Sequence, residues 1–207
     1  MPDKSPGFWM SLLAWFRAEP DVSVAAATGL MALLRSCQQG KSLRAMLLDS
    51  CICAFLAFYL RDALAWTEGT STSRYTKNDG YDIIVDGIDS PHTFTDYSTH
   101  PAVLVTVNRR GLKSTAAGRY QLLSRYWPHY RDLLKLPDFS PASQDAVAVQ
   151  MIKEQGAYAD VVAGRTEIAV QKCRNIWASL PGAGYGQREV TMAMFVAQYR
   201  RCGGVTA

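Results

Sequence analysis

Apolar and polar positions divide this chain into two regions with different periodicities. Within residues 1–60, Phe8–Phe16 (FWMSLLAWF) is amphipathic and leads into a first apolar stretch, Val22–Leu34 (VSVAAATGLMALL). A second stretch, Ala45–Leu60 (AMLLDSCICAFLAFYL), follows the polar segment RSCQQGKSLR. The pattern predicts a helical hairpin. At ~1.5 Å per residue the two stretches cover roughly 20 and 24 Å, short of a ~30 Å hydrocarbon core. Length therefore leaves two arrangements open, a hairpin in lipid and a hairpin packed within a soluble protein.

From Leu64 onward the chain reads as an ordinary globular sequence. LAWTE (64–68) continues the helical pattern, and Gly69 is placed to end it. A polar stretch then carries three short alternating runs, Tyr81–Val85, Thr93–Tyr97 and Val103–Val107, expected to form small antiparallel strands. From Ala117 the pattern is read as helical. The clearest helix begins at Ser140 with Pro141 in its first turn and Ala146, Val149 and Ile152 on one face. Further helices are expected near Glu167–Trp177 and Arg188–Tyr199, ending before Gly203-Gly204. A helix, a small sheet and more helices make an α+β domain. The expected division is 1–63 for the hairpin and 64–207 for the globular domain.

Charge sharpens that division. Residues 1–60 hold only five of the 22 basic side chains and four of the 18 acidic ones. The net charge of +4 favours approach to an anionic wall polymer or to acidic lipid. Basic residues are not interleaved with aromatics, which argues against nucleic acid as a partner. The five cysteines, Cys37, Cys51, Cys53, Cys173 and Cys202, form no Cys-x-x-Cys pair and no ligand pattern with His92, His100 or His129. They read as free, buried thiols, with no metal and no cofactor implied. The start, Met1-Pro2-Asp3-Lys4, lacks the features of a cleavable signal peptide.

One candidate for chemistry stands out on position. Glu68 sits at a helix C-terminus beside Trp66, where an aromatic surface and the negative end of the helix dipole should both raise its pKa. Such a carboxyl can remain protonated and donate to a leaving oxygen. By itself the signal is weak, since most glutamates that end helices are ordinary surface. Asp79, Asp82, Asp86 and Asp96 in the loops that follow read as turn-forming or structural, with Asp96 the next residue to test. The loop PGAGYG (181–186) lacks the Lys-Ser/Thr of a phosphate cradle, which argues against nucleotide binding. Its Tyr185 could stack on a sugar. Trp127 and Trp177 read as core.

The neighbouring blocks make the reading specific. AWTEGT (65–70), NDGYDIIVDG (78–87), FTDYSTHP (94–101), KSTAAGRYQLLSRYW (113–127), DFSPASQDAVAVQMIKEQGA (138–157) and NIWASLPGAGYGQ (175–187) resemble, in order, the endolysins of lambda-like phages over residues 64–204. The resemblance implies a lysozyme-like fold and a lytic transglycosylase. Such an enzyme cleaves the MurNAc-β-1,4-GlcNAc bond of peptidoglycan and leaves a 1,6-anhydro ring. The family's catalytic glutamate falls on Glu68. Gly118-Arg119-Tyr120-Gln121 resembles the family's cleft-lining segment, which puts Tyr120 and Gln121 among the expected substrate contacts. Gln121 and Ser114 would either bond sugar acetamido and hydroxyl groups or cap and support the helix expected there, and Tyr185 is the expected stacking contact.

The first region has its own resemblance. GLMALLR (29–35) and GKSLRAMLLDSCICAFLAFYLRDAL (40–64), with Gly40-Lys41, Asp49, Cys53 and Arg61-Asp62 in that order, resemble the first two transmembrane helices of lambda-type phage holins. The match spans roughly residues 20–64 and lacks the family's third helix and basic tail. It implies insertion of the hairpin in the inner membrane and oligomers formed through these helices. Arg35, Lys41 and Arg44 in the turn, against Lys4 and Arg17 before it, would keep the turn cytoplasmic and both ends periplasmic. The second stretch runs into Glu68 without a linker, eight residues or roughly 12 Å beyond Leu60.

The expectation is thus a membrane-tethered, wall-cutting enzyme for host lysis, with its catalytic domain facing the periplasm. Two alternatives are a truncated holin-like membrane lesion protein carrying an inactive endolysin domain, and a soluble endolysin in the host cytoplasm whose hairpin packs on the domain.

Overall fold

The computed structural model describes residues 59–186 and 188–207, which belong to one compact unit, Leu56–Ala207. Residues 1–58 of the expected N-terminal hairpin, with Cys37, Cys51 and Cys53, lie outside the described residues. Among the described residues, no helix is long and apolar enough to cross a membrane.

Residues 59–67 are helical (α1) and end where the glycine signal placed the stop. Gly69 has φ +76°, a left-handed conformation that costs a residue with a Cβ and suits glycine. Gly69 N donates to Trp66 O at 3.0 Å and Thr70 N to Ala65 O at 3.1 Å, the paired bonds of a Schellman cap. Glu68 is the residue on which α1 closes.

The sheet is smaller than the alternating runs suggest. Among the described residues, only β1 (Val105–Thr106) and β2 (Lys113–Ser114) pair as strands, antiparallel, with Val105 opposite Ser114. The runs at 81–85 and 93–97 contribute single bridges, Ile83 to Thr93 and Ile84 to Ala117. Polar side chains compete for the backbone there. Asp82 accepts Lys77 N at 2.8 Å, Ser90 Oγ donates to Val85 O at 2.8 Å, and His92 turns to φ +66°.

Residues 117–122, expected to begin a helix, form a tight hairpin closed by an Ala117–Leu122 bridge, with Gly118 at φ +78° and Gln121 at φ +51°. Two left-handed residues within four positions are incompatible with a helix. The helical region starts later, with a 3-10 turn at Ser124–Tyr126 and α2 at Trp127–Leu134.

α3 (Pro141–Glu154) matches the expected start at Ser140 with Pro141 in its first turn. Its buried face differs from the expected one. Ile152 is buried as expected, but Val147, Ala148, Ser143, Gln144 and Asp145 join it, while Ala146 and Val149 are half-buried. α3 lies between two apolar clusters, so no single stripe describes it. One cluster packs Leu60, Ala63 and Leu64 of α1 with Ala148 and Ile152; the other packs Val147 with Trp127, Tyr130 and Phe139.

The short α4 (Tyr158–Val162), α5 (Thr166–Cys173) and α6 (Met192–Arg201) complete the first cluster with Val161, Val170, Phe195 and Tyr199. Thr191 caps α6 by accepting Met194 N at 3.2 Å. Residues 60–63, which the sequence division gave to the hairpin, therefore also serve the core of this unit. Trp127 and Trp177 are core residues, 4% and 3% exposed. Cys173 is a free buried thiol, pushed up to about 12 by burial, and Cys202 is free and half-buried.

Candidate active site

The cap that ends α1 delivers the Glu68 carboxyl to a partly buried position. Burial pushes it up to about 7, against an ordinary carboxylate value of 4.5. Two hydrogen bonds from Ser179, one from its side chain and one from its backbone, pull the other way. Ser179 Oγ lies 2.5 Å from Glu68 Oε1 and 3.1 Å from Thr67 Oγ1. Thr67 Oγ1 in turn donates to Leu64 O at 2.7 Å. The shift has the direction expected at a helix end beside an aromatic, with burial as its main cause.

The loop after Glu68 is tied to the 117–122 hairpin. Thr70 Oγ1 donates to Arg119 O at 2.6 Å, and Trp177 Nε1 donates to Tyr120 O at 3.1 Å. Two arginines, buried or nearly so, anchor an ionic network beside the hairpin. Arg119 pairs with Asp62 at 2.8 Å and with Asp79, and Arg61 pairs with Asp145. The hydroxyls of Tyr81 and Tyr120 both donate to Asp145 Oδ1, at 3.0 and 2.5 Å. Gln144 accepts Arg119 N at 2.8 Å and donates to Tyr81 O at 3.0 Å, which holds the hairpin on α3. This network ties α1, the 117–122 hairpin and α3 together.

The other expected contacts divide. Gln121 is half-buried, its Nε2 donating to Gly118 O at 3.0 Å. Ser114 is half-buried on β2, its Oγ accepting Ala116 N at 3.1 Å. Tyr185 is 56% exposed, its hydroxyl donating to Asn175 O at 2.8 Å. Tyr120 requires a correction. It is 5% exposed and its hydroxyl is bound to Asp145, so it supports the hairpin from below and offers no surface to a sugar.

Among the described residues, no hydrogen bond joins Ser114 or Tyr185 to Glu68. The loop aspartates act as read from the sequence. Asp79 pairs with Arg119, Asp82 accepts Thr76 Oγ1 at 2.5 Å, and Asp96 accepts Ser98 N at 2.8 Å, which lowers its pKa. No group of three or more metal-ligating side chains occurs among the described residues.

Ser179 and Thr67 escaped the sequence reading. Ser179 is 111 positions from Glu68, and no spacing rule links them. Its one signal was membership of the block NIWASLPGAGYGQ.

Comparison with known proteins decides the family. The profile of the Endolysin family matches residues 53–206. The chain belongs to the endolysin family. The endolysin of Escherichia phage P2 is 56% identical over 161 residues, covering 75% of this chain and 94% of its own. That of Escherichia phage lambda is 56% identical over 144 residues, covering 69% and 88%. Among solved structures, the lysozyme of bacteriophage lambda complexed with a chitohexasaccharide superposes with a TM-score of 0.70 at 52% identity, covering 74% of this chain and 97% of that one. A second structure, lysozyme from bacteriophage lambda, gives a TM-score of 0.67 at 51% identity over the same shares. The described part of this endolysin thus has the lambda lysozyme fold.

A second profile, the phage holin family (Lysis protein S), matches residues 3–76. The two matches overlap across α1 and the loop that follows Glu68. In that overlap the structure shows endolysin packing, with Leu60 and Leu64 buried and Arg61 and Asp62 in the ionic network.

Proposed function

We propose that this endolysin is a lytic transglycosylase that degrades peptidoglycan during host lysis, with Glu68 as its acid and base. The observation that supports the reading is the Glu68 carboxyl at the end of α1, bonded by Ser179 Oγ at 2.5 Å and raised by burial to about 7, which can give a proton and take one back. Hydrolases that retain or invert configuration use two carboxylates. A single acid suffices when the sugar supplies its own nucleophile.

The Glu68 proton passes to the bridging oxygen of the MurNAc-β-1,4-GlcNAc bond. The C1–O4 bond breaks, and its electron pair stays with the departing GlcNAc oxygen. The C6 hydroxyl of MurNAc closes on C1 to give the 1,6-anhydro ring, and its proton returns to the Glu68 carboxylate. The enzyme regains its starting state without water. A glycan substrate also fits the chitohexasaccharide complex of the lambda lysozyme. Gln121, Ser114 and Tyr185 are the proposed sugar contacts.

Digestion of purified murein followed by mass spectrometry tests this. Anhydro-muropeptides from the parent protein and none from Glu68→Gln support it. Products with ordinary reducing ends would make the enzyme a hydrolase. No product at all, with membrane leakage on expression, would favour a holin-like lesion protein carrying an inactive domain.

The match of residues 3–76 to the holin family supports a tether in the inner membrane, residues 1–63 forming the hairpin and 64–207 the enzyme. The basic turn would then stay cytoplasmic and the enzyme periplasmic. In spheroplasts, added protease should remove a reporter fused after Ala207; protection of that reporter would overturn the topology.

A further inference from the structure

The Ser179 hydroxyl has one proton and two acceptors within reach, Glu68 Oε1 at 2.5 Å and Thr67 Oγ1 at 3.1 Å. Thr67 cannot return a proton to Ser179, because its own is committed to Leu64 O at 2.7 Å. The direction of this short chain is therefore set from its far end. Ser179 donates, either to the carboxylate or to Thr67. Ser179 is itself buried, 8% exposed, so no bulk water competes for the hydroxyl.

We propose that Ser179 is a positioning residue for Glu68. Its hydroxyl donates to Oε1, which leaves the second oxygen to carry the working proton, and it strengthens its hold when the carboxylate becomes charged. This inference rests on Glu68 being the acid of the reaction.

The physical reason is an opposition of two effects. Burial favours the neutral carboxyl and alone would make it too weak an acid to release its proton. A hydrogen bond to the charged form does the reverse, and bonds to ions are about twice as strong as neutral ones. Ser179 is thus strongest in the state that follows proton transfer, where it lowers the barrier. When the C6 hydroxyl of the sugar returns a proton, the hydroxyl can turn to Thr67, which provides a second acceptor at no loss of packing.

Among the described residues, the charged groups on the elements around Glu68 and Ser179 include Arg61 and Asp62 on α1, Asp79 and Arg119 on the flanking loops, Asp145 on α3, and Arg188 and Glu189 beside Val190, whose N–H donates to Ser179 O at 3.2 Å. Glu189 accepts Gly182 N and Gly184 N. Arg119 with Asp62 and Asp79, and Arg61 with Asp145, pair among themselves. None of them is among the influences on Glu68.

The test is a pair of pH profiles on full-length protein. The first follows kcat/KM for murein digestion, and the second follows the Glu68 carboxyl by carbon NMR in protein labelled at glutamate. Ser179→Ala should move the alkaline limb and the NMR midpoint up by about one to two pH units, the worth of a hydrogen bond to a charged group. kcat should fall about tenfold and KM stay constant.

Ser179→Thr, which keeps the hydroxyl, should restore the parent midpoint. Ser179→Cys, a weak donor of similar size, should shift it upward by less. A role in packing alone would admit water to Glu68 and move both profiles down, or leave them in place. Either result overturns the proposal, as does a Ser179→Thr midpoint equal to that of Ser179→Ala. If Glu68 is not the acid, the NMR midpoint still rises in Ser179→Ala while the murein profile does not follow it, so the two failures are distinguishable.

Discussion

Arg61 of α1 and Asp145 of α3 form an ion pair inside the endolysin unit, their side chains 13% and 10% exposed. Arg61 belongs to the stretch matched by the holin family, and Asp145 to the endolysin. One side chain thus serves two sequence patterns, and here the lysozyme core determines its surroundings. The first described helix continues the holin-like stretch in sequence, but in space it is part of the endolysin core.

Removing one partner of a buried pair leaves the other charged and uncompensated, a loss of about 3–5 kcal/mol. Arg61→Leu should therefore destabilise the unit by roughly this amount in urea unfolding followed by tryptophan fluorescence. Adding Asp145→Asn to that variant should recover part of the loss, because the Tyr81 and Tyr120 hydroxyls can still donate to the amide oxygen. A loss smaller than that of an exposed pair, below about 1 kcal/mol, would show that the network does not support the fold.

Activity should depend on pH through Glu68. As an acid it must be protonated, so kcat/KM should be level below the pKa of about 7 and fall about tenfold per unit above it. Clearing of murein suspensions between pH 5 and 9 measures this. An alkaline limb near pH 5 would mean that Glu68 is not held as the structure shows.

The same raised pKa has a consequence for stability. The folded protein binds the Glu68 proton more tightly than the unfolded chain, so stability falls as pH rises from 4.5 to about 7. The shift corresponds to ~3 kcal/mol, fully lost above the folded value. Glu68→Gln should therefore unfold at a higher temperature than the parent at pH 8 and at nearly the same temperature at pH 4. Parallel melting curves at both pH values would remove the case for a buried, raised carboxyl.

Two glycines give a contrasting pair. Gly118 has φ +78°, and a Cβ there would collide with the Gln144 side chain that holds the 117–122 hairpin on α3. Gly111 has φ +81° with open space around it. Gly111→Ala should cost about 1–2 kcal/mol from the backbone alone, whereas Gly118→Ala should add an overpacking loss of about 1–3 kcal/mol and lower activity with it. Equal losses by thermal melting would deny the close packing of Gly118 on Gln144.

Elements with strong local signals were legible in the sequence. The stop at Gly69, the start of α3 at Ser140-Pro141 and the core tryptophans all depend on a residue and its immediate neighbours. The 117–122 hairpin was not legible, because its two left-handed residues respond to contacts with α3 and with Thr70 more than to local preference. The sheet shrank to two short strands because Asp82, Ser90 and their neighbours bind the backbone that strands would have used. Tyr120 looked like a cleft residue because its block resembles one, yet its hydroxyl turns inward to Asp145.

The sequence by itself determined the family, the position of Glu68 at the end of a helix and the composition break near residue 60, since these are carried by residue order and by local backbone preference. Only the tertiary structure decided the surroundings of that carboxyl. Ser179 reaches Glu68 from 111 positions away, and burial of the carboxyl depends on how α1 packs against the helices that follow. A pKa is set by everything within a few ångströms in space, and distance along the chain says little about which residues those are.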